Sequence, residues 1–142
     1  MVHPILFPSP DKKHNAALSF IGEIQPSLGY NTFSIDKSPL SFADRIFGNV
    51  CLWSPDSRFL SIQEWKEINT LNVPKFYLLL IIDVLTKQEC VIASIESVQG
   101  NILPQGFIGE SLMYTVIYYG QFGMTKNYES KFRYLNGWQP IK

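Results

Sequence analysis

The chain has 142 residues, of which 46% are hydrophobic and 17% charged, and its formal net charge is +0. This composition excludes a disordered chain, and the length suits one domain with a sizeable core. The 12 basic and 12 acidic residues balance, whereas a general nucleic-acid binder needs a basic surface. We therefore expect a single domain over residues 1–142 without a nucleic-acid partner.

The N-terminal segment, residues 1–15, carries three prolines and both histidines, which predicts an irregular arm. It lacks the basic start and long apolar stretch of a secretory signal. The longest apolar run, residues 76–82, is too short to span a bilayer. We expect a cytoplasmic protein without a membrane partner.

Two strands are predicted next, over residues 16–24 and 30–35, with Pro26 ending the first and residues 28–29 in the connection. The next segment has helical signals: a Ser-Pro pair at residues 38–39, suited to a helix start, and a glycine at residue 48, suited to a helix end. Apolar residues between them are close to helical spacing. The pattern predicts one short helix over residues 39–47. The alternative is an aromatic-rich loop.

The centre of the chain, residues 49–95, predicts a four-stranded antiparallel meander. Its four strands are residues 50–53, 58–65, 76–84 and 89–95. Pro55 and Asp56 suit the tight turn between the first two strands. The third strand is apolar at almost every position, which indicates that both of its faces are covered.

The last third of the sequence indicates fewer regular elements. We predict a connection with a short bridge over residues 100–109, a strand over residues 112–121 and a loop over residues 123–127. Residues 130–135 are predicted to be a strand, before a turn at Asn136 and Gly137. The predicted fold class is mainly β, with antiparallel meander sheets arranged as a blade, an incomplete propeller or a sandwich.

Few residues suggest a catalytic or metal-binding site. His3 and His14 lie in the proline-rich arm without matching ligand spacing, so we expect no metal site and no cofactor. Cys51 and Cys90 fall in the first and fourth meander strands, about 14 Å apart at the usual strand spacing. A disulfide needs Cα atoms within about 7 Å. We predict two reduced thiols, with Cys51 acting as a small buried hydrophobe.

Charged residues beside the meander, together with a tryptophan, predict a partner-binding surface, because interfaces favour aromatic anchors within a polar rim. The candidate residues are Asp44, Arg45, Asp56, Arg58, Glu64, Trp65, Lys66 and Glu67. Trp65 has two interpretations, as an anchor of this surface or as a core residue. The carboxylates have no spacing typical of acid–base catalysis.

The meander resembles a known family. Residues 53–60 read Trp-Ser-Pro-Asp-Ser-Arg-Phe-Leu, and residues 81–88 read Ile-Ile-Asp-Val-Leu-Thr-Lys-Gln. Both stretches resemble blades of TolB-type and related β-propellers, which implies a four-stranded blade. A closed propeller needs about four to eight blades, more than 142 residues can form. We therefore expect an incomplete propeller or a sandwich-like sheet.

The overall layout is similar to small bacterial immunity proteins that accompany polymorphic toxins. The similarity is carried by residues 38–45, 51–65 and 118–120. It implies a non-enzymatic protein that covers the active site of a cognate toxin. The alternative is a small-molecule or peptide-binding module with an aromatic groove near Tyr114, Tyr118, Tyr119 and Trp138. We expect no enzymatic activity; turnover that disappears on replacing Cys51 or His14 would indicate an enzyme.

Overall fold

The computed structural model describes residues 4–25, 28–120 and 123–141. In these residues the chain forms strands joined by turns, with one short 3-10 turn at Phe132–Tyr134. The strands are β1 (Ile5–Pro8), β2 (Asn15–Gln25), β3 (Leu28–Ile35), β4 (Ile46–Trp53), β5 (Phe59–Lys66), β6 (Phe76–Asp83), β7 (Gln88–Glu96), β8 (Gly100–Ile108), β9 (Ser111–Tyr118), β10 (Met124–Ser130) and β11 (Gln139–Pro140).

The strands form two antiparallel sheets. The first has the order β1-β2-β3-β4-β5-β6-β7-β11, and the second has the order β10-β9-β8. Consecutive strands are neighbours from β1 to β7, so the first sheet is a meander, and the short β11 pairs with only the start of β7. The predicted class, mainly β with antiparallel meander sheets, is confirmed, and so are the four central strands β4–β7.

Strand β6 is covered on both faces, as its apolar sequence predicts. Leu80 and Ile82 belong to a first core, which also contains Phe47 and Leu60 from β4 and β5. Leu79 and Ile81, alternating with them, belong to a second core on the other face. All four β6 side chains are buried. The two cores therefore share one strand as their common wall.

Different parts of the chain cover the two faces. Buried residues of β2 and β3, including Leu18 and Phe33, complete the first core. The second core is completed by Ile102 and Leu112 from β8 and β9 and by Phe132 of the 3-10 turn. Strand β8 contacts β4, β5, β6 and β7 in turn. A strand that touches four successive neighbours runs across them, so the two sheets pack at a steep angle.

The helix predicted over residues 39–47 is wrong. Residues 38–45 form turns and irregular backbone, and β4 begins at Ile46. The apolar spacing has another cause: the ring of Phe42 lies 4.8 Å from Phe33 and 6.0 Å from Phe47, as part of the first core. Asp44 has a φ of 62°, in the left-handed region that interrupts a helix. The aromatic-rich loop, the other interpretation of the sequence, is the one observed.

Three predictions in the last third are also wrong. The supposed connection over residues 100–109 is β8, which accommodates Pro104 beside a register shift, where a strand tolerates proline. The supposed loop over residues 123–127 lies largely in β10, an edge strand without buried residues whose sequence lacks an apolar period. The supposed strand over residues 130–135 contains the 3-10 turn instead. Gln121, at the end of the predicted strand 112–121, lies outside the described residues.

The N-terminal predictions need two corrections. The predicted irregular arm contains β1, which pairs with the start of β2 through contacts such as Ile5 with Leu18. Residues 28–29 belong to β3, and not to a connection. His3 and Pro26 lie outside the described residues.

The prediction of two reduced thiols is confirmed, since Cys51 and Cys90 are both free and buried. Their strands, β4 and β7, are separated by β5 and β6. In addition, Cys51 packs in the first core and Cys90 in the second. The sheet itself therefore keeps the two sulfur atoms apart.

Candidate partner-binding site

A single arginine joins two strands of the first sheet through four hydrogen bonds. Arg45, in the segment before β4, donates from Nε and Nη2 to the Glu64 carboxylate at 2.7 and 3.0 Å. It also donates from Nη1 and Nη2 to Glu89 at 2.8 and 2.6 Å. Glu64 lies on β5 and Glu89 on β7, so the guanidinium bridges across β6. Both pairs are bidentate, the strongest geometry for an arginine with a carboxylate.

This ionic network is shielded from water. The side chain of Glu64 is 2% exposed and that of Arg45 is 14% exposed. Burial alone would lower the pKa of Arg45, but hydrogen bonds to Glu89 and Glu64 raise it above its ordinary value. The guanidinium carbon also lies 5.5 Å from the ring centroids of Phe42 and Phe47. The charges are therefore fixed in position by the fold, and no partner is needed to order them.

The network forms one wall of a groove of about 430 Å³, which we call the charged groove. Its apolar floor comes from Leu78 and Leu80 on β6 and from Val91 on β7, and its rim includes Lys66 and the C-terminal segment around β11. Lys66 is 47% exposed, with Nζ 3.4 Å from the Glu64 carboxylate. The groove thus combines an apolar floor with a rim of fixed charges.

A second groove, of about 440 Å³, lies between β7 and the second sheet, and we call it the aromatic groove. Tyr114, Tyr118 and Tyr128 line it together with residues 93–96 of β7. The rings of Tyr114 and Tyr128 are stacked, with centroids 5.3 Å apart and planes 17° apart. Lys126 Nζ lies 5.8 Å from the Tyr118 ring. This groove offers flat aromatic surfaces.

The structure brings three of the predicted partner-binding residues together. Arg45, Glu64 and Lys66 all line the charged groove. Asp44 and Glu67 are exposed beside these residues in the chain, outside the groove lining. These three residues form the wall and rim of one groove, and their role in binding a partner stays a prediction.

Trp65 is a core residue, which corrects its proposed place on the contact surface. It is 4% exposed and belongs to the second core. Its Nε1 donates a hydrogen bond of 2.8 Å to Gln63 Oε1, and its ring lies 5.7 Å from that of Tyr77. Neighbouring strand residues point to opposite faces, so Glu64 faces the charged groove while Trp65 faces the second core.

Asp56 and Arg58 belong to a different cluster. Arg58 donates to the Asp83 carboxylate at 3.0 and 2.8 Å, and Arg133 donates to Asp56 at 3.2 Å. Both guanidinium carbons lie 4.9 Å from the ring centroid of Phe59. These contacts tie the 3-10 turn to the β4–β5 turn. The two residues stabilise this end of the fold and do not line the charged groove.

The aromatic groove predicted as an alternative exists in part. Tyr114 and Tyr118 line it, but Tyr119 is exposed and outside its lining. Trp138 packs 6.2 Å from the ring of Phe59 and donates from Nε1 to the Phe132 carbonyl at 3.3 Å. The fourth prediction, Trp138, thus belongs to the second core.

Sequence reasoning missed several lining residues. Glu89 is not among the predicted partner-binding residues, because only the pairing of β6 with β7 shows that it can reach Arg45. Tyr128 lies between the loop predicted over residues 123–127 and the strand predicted over residues 130–135, where the sequence predicts no element. One signal was available: Leu60, Ile62 and Glu64 alternate along one face of β5, which places a carboxylate among apolar neighbours.

The residues that could support catalysis have structural contacts. His14 Nδ1 lies 3.1 Å from the Asp36 carbonyl oxygen. Ser54 Oγ accepts the Phe59 N–H at 2.9 Å, and Ser57 Oγ accepts the Asp11 N–H at the same distance. Burial raises the pKa of the Cys51 thiol, which disfavours its nucleophilic thiolate form.

Residues 4–25, 28–120 and 123–141 contain no group of three or more His, Cys, Asp or Glu side chains placed to hold a metal ion. None of their helical segments has the length and apolar character needed to cross a membrane. Comparison with protein-family models, curated proteins and solved structures gives no match.

Replacing Arg45 by methionine should destabilise the protein by about 3–5 kcal/mol, because two shielded carboxylates lose their shared cation. Urea unfolding at pH 7 measures this change. The double variant R45M/E64Q should regain part of the loss, since an amide is less costly to bury than an unpaired charge. The control is Arg133→Met, whose half-exposed ion pair should contribute less than about 1 kcal/mol. Equal losses for R45M and R133M would contradict the proposed role of the network.

Acid should weaken the fold partly through Asp83. Burial alone would raise the pKa of Asp83, but hydrogen bonds from Arg58 and Thr86 outweigh it and hold this pKa below its ordinary value. Its contribution to stability is therefore present above about pH 4, the pKa range of an unfolded aspartate, and is lost as pH falls through the folded pKa.

The variant Asp83→Asn should be less stable than the wild type at pH 7, and its free energy of unfolding should fall less between pH 5 and pH 2. Arg58→Met should also reduce this acid-dependent fall, because Asp83 then loses the donors that lower its pKa. Urea unfolding across this pH range measures both. An unchanged pH dependence in both variants would contradict the assignment.

Proposed function

We propose that this chain is a non-enzymatic protein-binding protein whose contact surface is centred on the charged groove. The observation that carries the proposal is the Arg45–Glu64–Glu89 network, which holds a set of charges beside an apolar floor. A surface fixed in advance loses little conformational entropy when it binds. Proteins with such preformed surfaces usually bind their partners with little backbone movement.

The composition of the groove supports a protein partner. Protein interfaces place apolar contacts at the centre and polar groups at the rim. Here Val91 is 49% exposed on the floor, and Lys66 lies on the rim. Rim charges speed the encounter with a partner of complementary charge.

The specific form that we propose is an immunity protein of the bacterial cytoplasm, which neutralises a cognate toxin by covering its active site. The similarity of the sequence layout to such proteins and the small size of the chain support this proposal. Steric occlusion needs a rigid surface and no chemistry. This mechanism needs no catalytic role for His14, Ser54 or Cys51, whose side chains are used in hydrogen bonds or core packing.

A second candidate function is a small-molecule or peptide-binding module that uses the aromatic groove. The stacked rings of Tyr114 and Tyr128 favour it, and the groove volume of about 440 Å³ lies within the usual range of ligand sites. Titration of the protein with aromatic ligands, followed by NMR shifts of the groove tyrosines, would distinguish this function from protein binding alone.

The proposal is tested by co-expression with a toxin encoded beside this gene. We expect survival of the host and a stable complex in size-exclusion chromatography with light scattering. Val91→Arg should abolish rescue and weaken the complex at least about 100-fold, since one buried interfacial charge without a partner costs several kcal/mol. The matched control is Leu85→Arg, at another exposed apolar residue, which should behave like the wild type.

Two results would overturn the proposal. One is a host that dies although the wild-type chain is present and folded. The other is a Val91→Arg variant that binds and protects as well as the wild type.

A further inference from the structure

One edge of the first sheet is only partly covered. Strand β11 pairs with Gln88 and Glu89 at the start of β7. Among the described strands, none pairs with the outer side of β7 over residues 91–96. Along an unpaired edge, alternate residues present their N–H and C=O groups outward. Such a row is complementary to the main chain of another extended strand.

The two grooves border this edge on opposite faces of the sheet. Val91 is paired with Leu80 and therefore faces the first core and the charged groove. Ala93 is paired with Leu79 and therefore faces the second core and the aromatic groove. A strand added beside β7 would direct its side chains alternately to these two faces. The edge and the grooves thus form one continuous surface.

We propose that an extended segment of the protein partner adds to the first sheet as a new strand beside residues 91–96 of β7. Its alternate side chains enter the charged groove and the aromatic groove. This inference rests on the proposed protein-binding function and names the mode of binding. Main-chain hydrogen bonds supply affinity in such complexes, and pockets for alternate side chains supply specificity.

The chemistry of the segment follows from the two linings. The stacked rings of Tyr114 and Tyr128 suit an aromatic side chain, which gains from offset or edge contacts. The floor of Leu78, Leu80 and Val91 suits an aliphatic side chain. The segment therefore alternates aromatic and aliphatic residues over about six positions, or roughly 20 Å of extended chain.

The sequence of the edge favours a different protein over a second copy. In a dimer joined through these edges, each copy would present residues 91–96 of its own β7, which read Val-Ile-Ala-Ser-Ile-Glu. This stretch has no aromatic side chain to place against the stacked rings of Tyr114 and Tyr128. Strand β11, which pairs with the start of the same edge, shows that a short extended segment can pair there.

The test uses a synthetic six-residue peptide, blocked at both ends, with the sequence Lys-Phe-Val-Phe-Val-Thr. Two N-methylated forms carry methyl groups on one or the other alternate set of amides, so that each keeps all side chains and loses one row of donors. We expect the parent to shift the NMR signals of residues 91–96 and of the groove tyrosines. One N-methylated form should bind about tenfold more weakly or worse, since each lost hydrogen bond contributes about 1 kcal/mol, while the other binds like the parent.

Side-chain variants provide an independent readout. Tyr128→Ala should weaken the parent peptide, because it removes one of the two stacked rings. Tyr134→Ala, at a highly exposed tyrosine of the 3-10 turn, is the matched control and should bind like the wild type.

The inference is overturned if the peptide does not bind, if both N-methylated forms bind equally, or if light scattering shows a dimer whose β7 edges pair. These failures are separate from failure of the proposed function. A chain that still rescues cells from the toxin, but does not bind the peptide, would keep its protein-binding role and lose strand addition as the mechanism.

Discussion

The structure depends on the burial of both faces of β6. Leu79 and Leu80 are adjacent in the chain, yet they pack in separate cores. Burying one such side chain contributes roughly 1.5–3 kcal/mol, and β6 repeats this on both sides along most of its length. Neither sheet can cover both faces alone, so the chain continues past β7 and lays the second sheet across β4–β7.

The surface features follow from the same packing. Burial of the face that carries Leu80 ends at the Arg45 network, which crosses β6 to join β5 with β7. Burial of the opposite face ends where Tyr114 and Tyr128 overhang β7. Strand β7 therefore lies between two grooves with part of its edge open. The two grooves form where the covering strands end, and the ionic network keeps the geometry of the charged groove fixed.

The sequence predicts the central meander well, because period-two alternation and a continuous apolar run are direct signs of half-covered and fully covered strands. It also predicts the reduced cysteines, because the meander places Cys51 and Cys90 on strands that are too far apart for a disulfide. The helix predicted over residues 39–47 was wrong because the apolar residues of this loop are close to helical spacing for another reason. They pack into the first core, where Phe42 contacts Phe33 and Phe47. Strand β10 was missed because an exposed edge strand has no apolar period. The pairing of Arg45 with Glu89 depends on strands distant in sequence, which no local pattern encodes. The blade and immunity-protein resemblances remain predictions.

Amide hydrogen exchange followed residue by residue tests the central claim most directly. If β6 is the shared wall of two cores, its amides should exchange only through global unfolding. In β7, amides that face β6 should be protected, and the alternate outward amides of residues 91–96 should exchange much faster. Fast exchange throughout β6, or uniform protection across residues 91–96 in the isolated monomer, would contradict the account.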